Sequence, residues 1–230
     1  MQPAGSRKIE LESLLAGRFD IPLGIRESVE SERLLVGLPE LDGLTGGLER
    51  GALTEVFGAT SSGRTTFALR ALAEATARGE ICAWVDTCDN LDPASAAAAG
   101  VDLDHLLWVR CGGDAERALA STDLLLEAGG FGMVVLDIAH LAGRAAGRIP
   151  LVAWFRLRRV IENTPAILLV LSRTPQVRQC ASAVLEMRPR AAAWSGAAGV
   201  SSLLRETRLA AASRKPARSV EAFWRAQAIG

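Results

Sequence analysis

The sequence predicts an α/β fold, a mostly parallel sheet covered by helices on both faces. Three observations carry this. First, Gly58–Thr66 reads GATSSGRTT, preceded by the apolar run Leu53–Phe57 and followed by a helical pattern over Phe67–Arg78. Strand, glycine-rich loop, helix is the order a phosphate-binding P-loop requires. Second, the apolar runs 81–85, 106–109, 133–136 and 167–171 alternate with helical stretches. Continuous apolar runs of this length mark strands buried on both faces. Third, the run 133–136 delivers Asp137, which places a carboxylate at the end of a strand downstream of the glycine-rich loop.

In chain order, residues 1–34 read as an N-terminal helical segment, with Ile9, Leu11, Leu14 and Leu15 giving an amphipathic stretch that Pro22 and Gly24 interrupt. Residues 35–50 are rich in glycine and leucine, with a turn at Gly46-Gly47. A strand over 52–57 leads into the P-loop, and a helix over 65–78 ends at Gly79, a C-cap residue. A strand over 81–85 runs into Asp86, followed by a loop with Pro93 and a short alanine-rich helix to Gly100. A strand over 106–109, a helix over 115–128 closed by Gly129-Gly130, the strand 133–136, a helix over 150–162 and the strand 167–171 complete the alternation. Residues 183–187 and 202–211 read as a hairpin around Trp194–Gly199. The expected core domain is 35–215, with 216–230 as a C-terminal tail.

A chain of 230 residues with 49% hydrophobic content sustains one α/β domain and is not a disordered chain. Cys82, Cys88, Cys111 and Cys180 form no CxxC pair and have no histidine near them, so they read as reduced thiols rather than a zinc site. With no signal peptide and no apolar run of membrane-spanning length, the expectation is a soluble cytoplasmic protein that does not meet a membrane. The zero net charge hides an asymmetry. Residues 1–137 carry 11 Lys/Arg and 22 Asp/Glu, while residues 138–230 carry 15 and 4. Such a division suits a polyanion surface, head-to-tail self-association, or a heteromeric contact.

The candidate nucleotide-binding residues are Gly58, Ser61, Ser62, Gly63, Arg64, Thr65 and Thr66. In a P-loop the backbone N–H groups and the helix start cradle phosphates, a Ser/Thr hydroxyl ligates Mg²⁺, and a lysine reaches the β- and γ-phosphates. The consensus GxxxxGK[ST] is met at Gly58, Gly63 and Thr65 and fails at Arg64, which keeps the charge on a longer, planar group. Asp137 stands in the Walker-B position, so Thr65 and Asp137 are the Mg²⁺ candidates if ATP binds. Hydrolysis needs a group to orient water, and Asp86 or Asp89 are the chemical candidates. Cys88 has no evident base and reads as an ordinary thiol. Arg144, Arg148, Arg156, Arg158, Arg159, Arg173 and Arg178 are candidates for DNA or partner contact. Trp154 and Phe155 read as core at their spacing, whereas Trp194 and Trp224 are harder to bury by pattern and leave docking on a partner or folding back as alternatives.

The stretch from Leu38 to Pro93 resembles the core of bacterial RecA recombinases. SSGRTT looks like the SSGKTT of that family, Asp86 to Pro93 looks like its strand and turn after the first helix, and GVDLDHLLWVRC continues the match. The resemblance implies a RecA-like P-loop core over about residues 35–215. The short length and altered motifs resemble the ImuA family of translesion-synthesis accessory proteins. That resemblance implies an adaptor in SOS-type DNA damage tolerance, nucleoid-associated on DNA damage. Its implied partners are an inactive Y-family polymerase homologue, an error-prone replicative-type polymerase, or RecA, with weak or absent ATPase activity. It leaves as alternatives a DNA-stimulated ATPase and a modulator of RecA filaments. The departures also follow from the resemblance. Cys88 stands where RecA has its catalytic glutamate, and Ser172-Arg173 stand where it has a γ-phosphate-sensing Asn-Gln pair. The two DNA-binding loops correspond to short stretches, Ala142–Leu151 and Thr174–Gln179. Strand exchange is not expected.

Overall fold

The computed structural model describes residues 32–141, 147, 149–162, 164–195 and 203–227. The helix expected within residues 1–20, and Arg144 and Arg148, lie outside the described residues. A two-stranded antiparallel ribbon, β1 (Arg33–Leu34) with β2 (Leu48–Glu49), brackets α1 (Pro39–Thr45). Then follow β3 (Ala52–Gly58), α2 (Arg64–Ala77), β4 (Cys82–Asp86), α3 (Pro93–Ala98), β5 (Leu106–Arg110), α4 (Ala115–Ala128), β6 (Met133–Asp137), α5 (Leu151–Ile161), β7 (Ile167–Ser172), β8 (Ala183–Ser195), β9 (Leu203–Lys215) and β10 (Ala217–Gln227).

The last eight strands form one sheet in the order β10-β9-β8-β3-β7-β6-β4-β5. All pairs from β8 to β5 are parallel, and β9 and β10 add antiparallel strands. This bears out the α/β expectation. The central strands β4, β6 and β7 are buried at every residue, which is why their sequences are unbroken apolar runs rather than alternations. One face packs on α1 and α2 through Leu41, Phe67, Leu72, Trp84 and Val56. The other packs on α4 and α5 through Leu126, Trp154, Leu157, Leu136 and Val170.

Local chemistry sets the helix starts. Asp92 and Asp114 cap α3 and α4, accepting from the backbone N–H of Ser95, and of Glu116 and Arg117. Pro39 and Pro93 occupy first-turn positions, where their missing N–H costs nothing.

Residues 39–45 form a helix that ends at the expected Gly46-Gly47 turn; Leu41 and Leu44 are buried, and this burial outweighs Gly43 in the helix. The segment expected as a tail from residue 216 is instead the edge strand β10. The expected hairpin is longer and gains this third strand, because Ala222 and Trp224 alternate into the core. Trp154 is core as expected, but Phe155 is 44% exposed, because it projects from α5 away from the sheet.

Candidate nucleotide site

Parallel strands place their C-terminal ends at one edge, and connections that skip strands open a crevice there. Here β3 is followed by β4, which lies beyond the two intervening strands β7 and β6. The register aligns Phe57 with Ser172, Leu171 with Asp137, and Asp137 with Asp86. The P-loop, Asp86, Asp137 and Ser172 therefore converge from four strands that are far apart in sequence.

The loop's shape is enforced by contacts. A Cβ on Gly58 would lie 2.2 Å from the Met187 carbonyl oxygen, and one on Gly63 would lie 2.6 Å from Leu209 Cδ1 and 3.3 Å from Trp224 Cζ2. Gly63 has φ +90, and Ser61 is also left-handed at φ 58. The backbone N–H groups that open α2 have no carbonyl a turn earlier to bond, so they are available to an anion. The loop borders a cavity of about 290 Å³ lined also by His140, Thr207, Leu209 and Ala226. The Ser62 hydroxyl is buried with no hydrogen-bond partner, and Thr65 is exposed. Loop, dipole and orphaned hydroxyl fit a phosphate group, with Thr65 and Asp137 as the residues that would hold its metal. Leu209 and Trp224 were missed as site residues, because they come from strands that sequence reading left short or read as a tail.

Arg64 also lines this cavity, but little of it is exposed there. It is 5% exposed, and its Nη1 donates to the Ser172 carbonyl oxygen at 2.6 Å. Burial pushes the guanidinium pKa down; the charge of Asp137 works against this, and that of Arg173 adds to it. Asp137 is itself buried, its Oδ1 accepting from the Ala139 N–H, and burial raises its pKa.

The candidates for water activation are committed to structure. Asp86 accepts from the backbone N–H groups of Cys88, Asn90 and Leu91 and from Trp108 Nε1. Asp89, left-handed at φ 57, receives two hydrogen bonds from Arg110. Cys88 is half-buried; burial and the negative charges of Asp137, Asp86 and Asp89 push its pKa up, which keeps the thiol protonated at neutral pH.

A residue missed in the sequence organises the other wall. Glu55 on β3 is fully buried and accepts from the Ser172 hydroxyl at 2.9 Å, the Gln176 N–H at 2.7 Å and the Val177 N–H at 3.3 Å. Burial raises its pKa, against these three bonds. Its signal was a carboxylate inside an apolar strand, which is paid for only by dedicated donors. Glu55 thereby ties down the turn after β7, the stretch that carries Arg173.

The described arginine candidates on α5 are partly engaged in ion pairs. Arg156 forms an ion pair with Asp123 that joins α5 to α4, and Arg158 pairs with Glu162 one turn on. Arg159 and Arg173 are exposed. Arg178 sits in the 3₁₀ turn Arg178–Cys180.

A central parallel sheet with a glycine-rich P-loop at its crevice defines an α/β protein of the P-loop class. Within that class the chain belongs to the RecA family, whose N-terminal domain matches residues 21–147. The RecA protein of Rhodospirillum centenum is 44% identical over 128 residues, covering 54% of this chain and 35% of the relative. That of Rickettsia canadensis is 39% identical over 117 residues, covering 50% and 34%. The match thus spans about a third of the length of these relatives. A crystal structure of the RadB recombinase superposes with a TM-score of 0.61 at 18% identity, covering 84% of this chain and 95% of that one, which shows a common fold. Among the described residues no helix is long and apolar enough to cross a membrane.

Proposed function

We propose that this chain is a RecA-fold accessory protein of SOS-type DNA damage tolerance. It helps assemble or recruit an error-prone translesion polymerase complex and has weak or absent ATP hydrolysis. The observation that carries the weak-hydrolysis reading is the Arg64 contact to the Ser172 carbonyl, which spends the P-loop cation on the protein's own backbone. The protonated thiol of Cys88 where the family has a glutamate supports the same reading, as do Asp86 and Asp89 committed to loop hydrogen bonds. The fitting partners are an inactive Y-family polymerase homologue, an error-prone replicative-type polymerase, or RecA, with DNA a further ligand.

The decisive measurement is ATP binding and turnover with and without single-stranded DNA, for the wild type, Arg64→Lys and Asp137→Ala. The proposal expects negligible turnover in all three and co-purification with the polymerase components. Robust wild-type turnover that rises with DNA and is abolished in Asp137→Ala would overturn it. That result would favour the DNA-stimulated ATPase, a reading supported by the intact loop shape and its cavity. Binding to RecA alone would instead favour a filament modulator.

A further inference from the structure

The strands β8–β10 carry an arginine- and aromatic-lined surface at the end of the sheet. Trp224 and Ala226 of β10 pack toward the core, so Glu221, Phe223 and Arg225 project from the opposite face. Phe223 is 56% exposed, an unusual state for a ring in the middle of a strand. The Arg190 guanidinium lies 5.6 Å from its centroid, a cation–π contact. Arg190, Arg208, Phe223 and Arg225, with Leu209 and Trp224 behind them, line a concavity of about 660 Å³.

The carboxylates around it are shared. Glu221 pairs with both Arg188 and Arg190, and Glu206 with both Arg208 and Arg225. Two guanidinium groups to each carboxylate leave the face with an excess of positive charge and with donors to spare. β10 is also the edge of the sheet, and among the described residues its outer edge takes part in no backbone hydrogen bond.

We propose that the face around Phe223 and the open edge of β10 dock an acidic, extended peptide segment of a partner protein, which adds as a strand and sets an aromatic or large apolar side chain beside Phe223. Three observations select a peptide over a nucleic acid. Glu206 and Glu221 interrupt the path a phosphodiester backbone would follow. The main-chain edge, unpaired among the described residues, offers hydrogen bonds that another strand satisfies in register. The exposed side chains are arginine and aromatic, the composition of protein–protein hot spots, and Trp194, Leu203 and Leu204 extend it at the far end of β8 and β9. The surface meets the P-loop cavity at Leu209, which lines both, while Phe223 and the arginines lie outside that cavity, and the proposal goes beyond the adaptor reading.

The test uses a random dodecapeptide display library selected on the immobilised full chain, so it is independent of any polymerase component. Selected peptides are synthesised with a fluorescent label and titrated by anisotropy. The expected peptides pair Asp or Glu with an aromatic residue and weaken with added salt. Phe223→Ala is expected to reduce their affinity about tenfold or more, as hot-spot truncation does. Phe223→Tyr is expected to restore it. Circular dichroism checks that both variants fold, which the exposure of the ring favours. The proposal is overturned if no peptide is recovered, if recovered peptides lack acidic residues, or if they bind wild type and Phe223→Ala equally. A Phe223-dependent affinity for oligothymidylate without peptide recovery also overturns it and makes the face a nucleic-acid surface.

Discussion

Arg64 Nη1 donates a 2.6 Å hydrogen bond to the carbonyl oxygen of Ser172, joining the first residue of α2 to the last of β7 across 108 positions of sequence. The bond makes the P-loop cation a structural tie between the two elements. Arg64→Lys, with a compact ammonium in place of the fork, is expected to release Ser172 and raise ATP affinity, read by titration with a fluorescent nucleotide. Arg64→Ala leaves the Ser172 carbonyl unpaired and is expected to cost about 1–3 kcal/mol of stability, read by urea unfolding. Unchanged stability in Arg64→Ala would show that the tie contributes nothing.

Gly63 is expected to be intolerant of substitution for two separable reasons. Its φ of +90 strains any L side chain, and a Cβ would stand 2.6 Å from Leu209 Cδ1. Gly63→Ala is expected to destabilise by about 2–4 kcal/mol, combining left-handed strain with overpacking. In a Leu209→Ala background the clash disappears while the strain remains. The cost of Gly63→Ala is then expected to fall by about 1 kcal/mol or more, a coupling that a double-mutant cycle measures.

Asp137 makes stability depend on pH in a defined direction. Burial raises its folded-state pKa above the unfolded value of about 3.9. A carboxyl raised in this way contributes its stability fully below the unfolded pKa, and loses it as pH rises through the folded pKa. Asp137→Asn keeps the acceptor for the Ala139 N–H but cannot ionise. Its melting temperature is expected to exceed the wild type's at pH 7–8, with the gap closing as pH falls toward about 4. Mg²⁺-ATP, if bound, should stabilise the wild type more than Asp137→Asn. Thermal scans across pH with and without the nucleotide check both statements.

Glu55 holds the turn after β7 through three donors. Glu55→Ala is expected to cost about 2–4 kcal/mol, because buried N–H groups lose their acceptor. The turn should then open locally, so that trypsin cleaves after the exposed Arg173 about tenfold faster or more. Cleavage at the wild-type rate would show that other contacts hold the turn.

Much of the fold was legible because burial on both faces writes itself into sequence. Runs such as Met133–Leu136 and Ile167–Leu171 have no polar face, and they became the buried strands β6 and β7. The spacing of Gly58, Gly63 and Thr65 was likewise enough to locate the loop, since its shape is a local backbone property. The misses have physical causes. In α1, glycine content masked a short amphipathic turn whose stability comes from Leu41 and Leu44 against the sheet. In β10, the alternation of Ala222, Trp224 and Ala226 with Glu221, Phe223 and Arg225 was present, but a six-residue alternation is weak evidence without a partner strand.

The sequence by itself determined the architecture and the position of the phosphate-binding loop, because periodicity, glycine placement and strand-end carboxylates act over a few residues. Only the tertiary structure decided what that loop's charge does. Whether the Arg64 guanidinium meets a phosphate or a carbonyl depends on Ser172, held in turn by Glu55, and on the Leu209 and Trp224 side chains that close over Gly63. Ser172, Leu209 and Trp224 lie more than a hundred residues from the loop in the chain. Packing brings them together, and it leaves the buried cation bonded to a backbone oxygen at the end of β7.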